Sequence, residues 1–183
     1  MGSLFDPANM IPLPGVPTPA IGGARTGGLA FVLEQQQEAY WCWAAVATSI
    51  AMYYGAGSAW TQCALANAEL GQTTCCEDGG TGECNVPWYL DRALERVAHL
   101  RSVSMSKAAW AEVTREIDAA RPICARIGWS GGGGHFVVVG GYDSAAGMID
   151  VKDPFYGDSS VAHGTFPGSY LGGGSWTHSY TTQ

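Results

Sequence analysis

Gln36-Gln37-Glu38-Ala39-Tyr40-Trp41-Cys42-Trp43-Ala44-Ala45 sets one cysteine at the head of an apolar run that reaches Tyr54. Alanine favours helix. Ala44, Ala45, Val46, Ala47, Ile50, Ala51 and Met52 leave hardly any polar face, which predicts a central, buried helix ended by Gly55 and Gly57. A helix beginning at Cys42 offers its sulfur free N–H groups and the positive end of the macrodipole. Only a thiolate attacks a carbonyl, and such a position favours that anion. Taken alone, one cysteine reads as a small buried hydrophobe, so the choice falls to the rest of the chain.

His135 follows four glycines, Gly131 to Gly134, and opens the apolar run Phe136-Val137-Val138-Val139. Its imidazole sits at a strand entrance, where Gly133 and Gly134 leave room for a substrate backbone. One histidine there can hold a thiolate and later protonate a leaving amine. His99, His163 and His178 lack so rigid a setting. Asp153 comes eighteen residues later, past a second short strand. A hairpin returns it beside His135, where its carboxylate can accept from the far ring nitrogen. Asp-Pro also initiates turns. Asp143, near the hairpin turn, and Asp150, facing the other side of the sheet, are its rivals. Gln36 precedes Cys42 by six residues and can donate to an oxyanion together with the Cys42 backbone N–H. Gln35 and Gln37 leave that assignment open by one residue.

The remaining elements follow from pattern. One helical turn is expected near Cys63 to Leu70, within irregular structure over 56 to 84. Asn85 can cap a helix with Pro87 in its first turn, carrying Val86, Leu90, Leu94 and Val97 on one face. Ser106 can cap another, with Trp110, Val113 and Ile117 buried and Pro122 as its stop. Ile123–Ile127, His135–Tyr142 and Met148–Val151 read as strands, with Ser144-Ala145-Ala146-Gly147 as a hairpin turn. Trp176 to Tyr180 adds an edge strand. Helices first and antiparallel strands second give an α+β domain of two lobes with a cleft between them. Residues 1–28, rich in Pro, Gly and Ala, read as a leader or surface arm; 29–183 form the domain.

The 183 residues carry a net charge of −7 and no Lys/Arg cluster, which argues against nucleic-acid binding. No apolar run reaches the ~18–20 residues of a membrane span. No basic and then apolar secretory leader is visible. Cys63, Cys75, Cys76 and Cys84 fall in a loop-like stretch and suit two disulfides in an oxidising compartment, with three pairings open and neighbours Cys75 and Cys76 poor partners. Free thiols and a zinc site are the alternatives, although no Cys-x-x-Cys pair exists.

Gln-x5-Cys-Trp-Ala-Ala, Gly-His-Phe-Val-Val-Val and Asp-Pro, with Trp-Thr-Gln-Cys-Ala, Cys-Cys and Cys-Asn-x-Pro between them, resemble papain-like cysteine peptidases. The closer likeness is to the bacterial branch of AvrRpt2 effector peptidases, related to double-glycine leader peptidases. The likeness runs from about Leu29 onward. It implies a papain-like two-lobed α+β fold, with a helical lobe built on the catalytic helix and an antiparallel β-sheet lobe. It implies Cys42 as nucleophile, His135 as base and acid, Asp153 as orienting residue and Gln36 as oxyanion donor. Gly133, Gly134 and Trp129 would line the substrate path, and the resemblance implies Trp129 or Trp176 as an aromatic shield over the histidine–aspartate pair, with plain packing as the other reading of either. No metal or organic cofactor is required. The expected activity is endopeptidase cleavage of a protein or peptide by a secreted or delivered bacterial effector or toxin. An inhibitory immunity protein or a host activating factor is the expected partner. Amide transfer, cell-wall peptide hydrolysis and a catalytically silent binding module are the competing readings. The plant and animal enzymes carry Asn as orienting residue and Cys-Gly-Ser before the nucleophile; this chain has neither.

Overall fold

The computed structural model describes residues 27–55 and 57–183. The Pro-rich segment therefore lies outside the described residues except for Gly27 and Gly28. These two form a short strand, β1 (Gly27–Gly28), paired antiparallel with Tyr142 and Gly141, so the sheet begins just before the apolar run Leu29 to Leu33.

Helix α1 (Cys42–Tyr54) starts where the sequence predicts and buries ten consecutive residues, Cys42 to Ala51. It is the hub of the helical lobe. Around it pack α2 (Gln62–Leu70) and α3 (Leu90–Arg96). α2 is a full helix where a single turn was expected. Thr61 caps it by accepting from Ala64 N at 3.2 Å, and Gly71 closes it in the left-handed conformation at φ 67°. α3 begins later than its apolar spacing suggests. Asn85 does not cap it: its side chain instead accepts from Tyr40 N at 3.0 Å, and Val86 to Tyr89 run on without helix as far as the cap position, Tyr89.

The sheet has the order β2-β7-β3-β4-β5-β6, all neighbours antiparallel. Its strands are β2 (Leu100–Ser104), β3 (Ile123–Trp129), β4 (Gly134–Asp143), β5 (Met148–Lys152), β6 (Ser159–Ala162) and β7 (Gly174–Thr182). Two expectations are corrected here. The Trp176–Tyr180 segment is no edge: β7 lies inside the sheet between β2 and β3. The edges are β2 and β6, which the sequence reading left unassigned. α4 (Trp110–Asp118) starts after Ala109 and not after Ser106, whose hydroxyl pairs with Ser104.

The two sheet faces bury different cores. Cys124, Phe136, Val138 and Tyr180 meet α1, α2 and α3. Ile123, Ala125, Ile127, Val137 and Val139 meet Val113 and Ile117 of α4, with an aromatic group formed by Trp129, Phe166, Tyr170 and Trp176. The α+β reading with a helical lobe and an antiparallel lobe is the observed architecture. No helix among the described residues is long and apolar enough to cross a membrane.

Two disulfides brace the loop between α2 and α3: Cys63–Cys76 and Cys75–Cys84. The stretch beyond Cys84 is stitched to the head of α1. Trp41 Nε1 donates to Cys84 O at 2.8 Å, and Trp43 Nε1 donates to Val86 O at 3.1 Å. Cys42 and Cys124 are the free cysteines.

Candidate active site

Local folding brings the parts together. Cys42 is the first residue of α1, so its N–H has no acceptor within the helix. β4 and β5 form a hairpin with Val138 opposite Lys152. That register carries Asp153, one step past β5, back to His135 near the start of β4. His135 Nε2 lies 2.8 Å from Asp153 Oδ1, and both side chains are fully buried. The same oxygen accepts from the backbone N–H groups of Phe155, at 2.8 Å, and Tyr156, at 3.0 Å. The turn-forming and imidazole-binding roles of Asp153 thus reside in one atom. Its other oxygen, Oδ2, accepts from Tyr170 Oη at 3.0 Å.

The electrostatics follow from this geometry. Burial alone would depress the imidazole pKa. The charge and hydrogen bond of Asp153 overcome it, Cys42 acts on the ring in the same direction, and His135 is held well above its ordinary value. Burial would raise the Asp153 carboxyl; His135 and the two turn N–H groups win, and it is held below its usual range. His135 Nδ1 is buried and makes no well-formed hydrogen bond, which leaves it as the nitrogen for a neighbouring thiol.

Gln36 is buried, while Gln35 and Gln37 on either side are exposed. Only the middle glutamine of the three turns inward. Its Nε2 donates to Glu38 O at 2.8 Å and to Ala39 O at 2.9 Å, and its Oε1 is buried without a partner. Its backbone N–H donates to Pro154 O at 2.9 Å, joining the loop before α1 to the Asp153 turn. Trp129 lies nearly parallel to His135, with ring centroids 6.1 Å apart. Trp176 packs on Phe166 and His163 instead.

Gly133 has φ 84°, in the left-handed region. The room over Gly134 is not open. A methyl group there would lie 2.7 Å from Arg126 Nη2 and 2.9 Å from its Cζ, so the Arg126 guanidinium covers this glycine beside His135. Arg126 also lines a groove of about 590 Å³ with Pro87, Trp88, Tyr89, Met105 and Phe136. A second cleft, of about 320 Å³, adjoins Asp153 and is lined by Leu33, Gln35 and the turn from Pro154 to Asp158.

The rivals lie elsewhere. Asp143 accepts from Ala145 N and Ala146 N in the far hairpin turn, and Asp150 stands opposite Gly141. His99 bonds Gln183 O, His163 bonds Ala108 O, and His178 bonds Thr177 Oγ1. Burial drives the Cys124 thiol pKa strongly upward, which makes it a packing residue. Among the described residues no cluster of three or more His, Cys, Asp or Glu is arranged to hold a metal. Tyr170 and Arg126 went unnoticed in the sequence, since no motif or spacing marks them.

The sequence profile of the papain-like cysteine protease AvrRpt2 family matches residues 27–169. The chain belongs to this family. It is a papain-like cysteine peptidase, a hydrolase of the AvrRpt2 group. Two solved structures share its fold. The peptidase domain of Streptococcus ComA, a bi-functional ABC transporter of a quorum-sensing pathway, aligns at a TM-score of 0.54 and 15% identity, covering 83% of this chain and 98% of that one. A double-glycine-motif protease from an AMS/PCAT transporter, solved with its leader peptide, aligns at 0.51 and 17%, covering 86% and 94%. No curated protein sequence matches the chain.

Proposed function

We propose that this AvrRpt2-family peptidase is an endopeptidase that cleaves a protein substrate through Cys42, His135 and Asp153. The observation that carries the reading is the buried 2.8 Å contact between His135 and Asp153 on an imidazole that also feels Cys42. The thiolate of Cys42 adds to the scissile carbonyl, forming the C–S bond. The carbonyl oxygen takes the negative charge beside the Cys42 N–H, with Gln36 Nε2 releasing Glu38 O or Ala39 O to donate to it. His135 gives its proton to the departing amine. It then takes a proton from water, whose oxygen displaces the sulfur. Asp153 keeps the ring oriented and stabilises its charged form. The peptidase unit spans 29–183, and the leader or arm at 1–28 meets the sheet through its last two residues.

The two clefts support internal cleavage. An extended chain can enter by the cleft that adjoins Asp153 and Pro154, and the groove lined by Arg126 and Phe136 gives it a second surface to follow. Gly133 and Trp129 border that path, and at Gly134 it is the Arg126 guanidinium that meets the substrate. The double-glycine protease holds a leader peptide, and a peptide segment is the occupant we assign here. The biological reading is an effector or toxin delivered into another cell, restrained by an immunity protein at home or switched on by a host factor. A pull-down from the source cells that yields no tight partner would count against that part. The chemistry is tested by Cys42→Ala. This variant should fold as the parent does and cleave nothing in proteome-wide profiling of new N-termini. Cleavage at the parent's rate would end the proposal.

A further inference from the structure

We propose that Tyr170 is a positioning residue for this reaction: its hydroxyl, donating to Asp153 Oδ2, locks the carboxylate so that Oδ1 faces His135. The inference rests on the assignment of Cys42, His135 and Asp153 above. Asp153 Oδ1 has three donors, the imidazole and two turn N–H groups, whereas among the described residues Oδ2 is held by Tyr170. Without it, that oxygen is a buried acceptor with nothing to hold it. The ring is fixed as well as the hydroxyl. Tyr170 lies nearly parallel to Trp129 at 6.5 Å, Trp129 lies nearly parallel to His135, and Phe166 meets Tyr170 edge-on at 5.2 Å. The segment between β6 and β7 that bears Tyr170 is pinned by Lys107 Nζ, which donates to the carbonyls of His163 and Phe166. Each contact fixes the one before it, back to the imidazole, which is the layered support a precise site needs.

Tyr170 is 8% exposed, so it supports the site from behind and is not placed to touch substrate. Burial and the Asp153 charge both raise its pKa, so it remains a donor across the working range. The titratable groups facing Asp153 are His135 from β4, Tyr156 from the adjoining turn and Tyr170 itself. Tyr170 stands one residue past the segment matched by the family profile.

The test is Tyr170→Phe in the full chain, which keeps the ring and deletes the hydroxyl. At neutral pH kcat should fall about five- to tenfold with KM within about twofold. The acid limb of the pH profile should move upward by about one unit, because a carboxylate that loses a donor takes up a proton more readily. In Asp153→Asn no carboxylate remains to titrate, so adding Tyr170→Phe should produce no limb shift. In the unaltered protein, NMR should find a slowly exchanging, downfield Tyr170 hydroxyl proton. An unchanged pH profile, an equal limb shift on both backgrounds or a rapidly exchanging hydroxyl each overturns the inference. If Cys42→Ala is dead while these results fail, only the role of Tyr170 falls; if Cys42→Ala stays active, the assignment beneath it falls too.

Discussion

Replacing Asp153 by asparagine separates its charge from its turn. The asparagine oxygen can take the Oδ1 position and still accept from Phe155 N, Tyr156 N and His135 Nε2. Its NH2 group then faces Tyr170, whose hydroxyl can turn and accept. The fold survives and only the negative charge is lost. A hydrogen bond to a charged group contributes about 1.5–3 kcal/mol, and about 1.4 kcal/mol is one factor of ten. The expected loss in kcat/KM at neutral pH is therefore about one to two factors of ten. The imidazolium loses the partner that held its pKa up, so the alkaline limb should move to lower pH. Stability should change with a defined sign. The raised His135 value contributes fully below about pH 6.5 and fades as pH rises through the folded pKa. The depressed Asp153 value contributes above about pH 4 and fades as pH falls through its own. The gap in unfolding free energy between parent and variant should be widest between these limits. A fluorogenic peptide assay across pH, with denaturant melts at matching points, measures both. Asp153→Asn with the parent's rate and profile would refute the pairing as the source of catalytic orientation.

Two further outcomes follow from contacts described above. Gly134→Ala must push the Arg126 guanidinium aside and meets Ile127 O at 3.0 Å. It should cost about 1–3 kcal/mol, read as a lower Tm in calorimetry, and Arg126→Ala in the same chain should restore part of it; no Tm change would show that this approach is not tight. Cys75→Ser with Cys84→Ser should lower stability by about 2–4 kcal/mol in denaturant titrations. It should also slow cleavage, because the carbonyl of Cys84 holds the Trp41 indole beside Cys42; full activity in the bridge-less variant would mean that the loop holds itself.

The elements legible in the sequence are those whose signals are local and dense. α1 is apolar at nearly every position, and β3, β4 and β5 are short β-branched runs cut off by glycines. With these in place, the Cys42, His135 and Asp153 neighbourhood follows from order and spacing. What escaped depends on partners distant in the chain. β7 looks like an edge because nothing in Trp176–Tyr180 reveals that β2 will pair outside it. β2 itself has mostly exposed residues and offers no alternation to read. Asn85 has the chemistry of a cap, but Tyr40, forty-five residues earlier, claims its side chain. The disulfide pairing was one of three arithmetical options, settled only by how α2 lies against the loop. Tyr170 was invisible because a tyrosine seventeen residues from an aspartate has no periodicity, and only the β6–β7 connection brings them together.

The interior place of β7 bears on when the enzyme matures. β2 leaves the ribosome well before β7, yet its sheet neighbour is β7, and β3 also waits for one flank to be filled. Until that late segment arrives, the half-made sheet keeps an open gap beside the strand that pairs with the one bearing His135. A nascent chain in this condition already holds the Cys42 helix while one flank of β3 is still empty, so the sheet lobe closes last and the helical lobe waits for it.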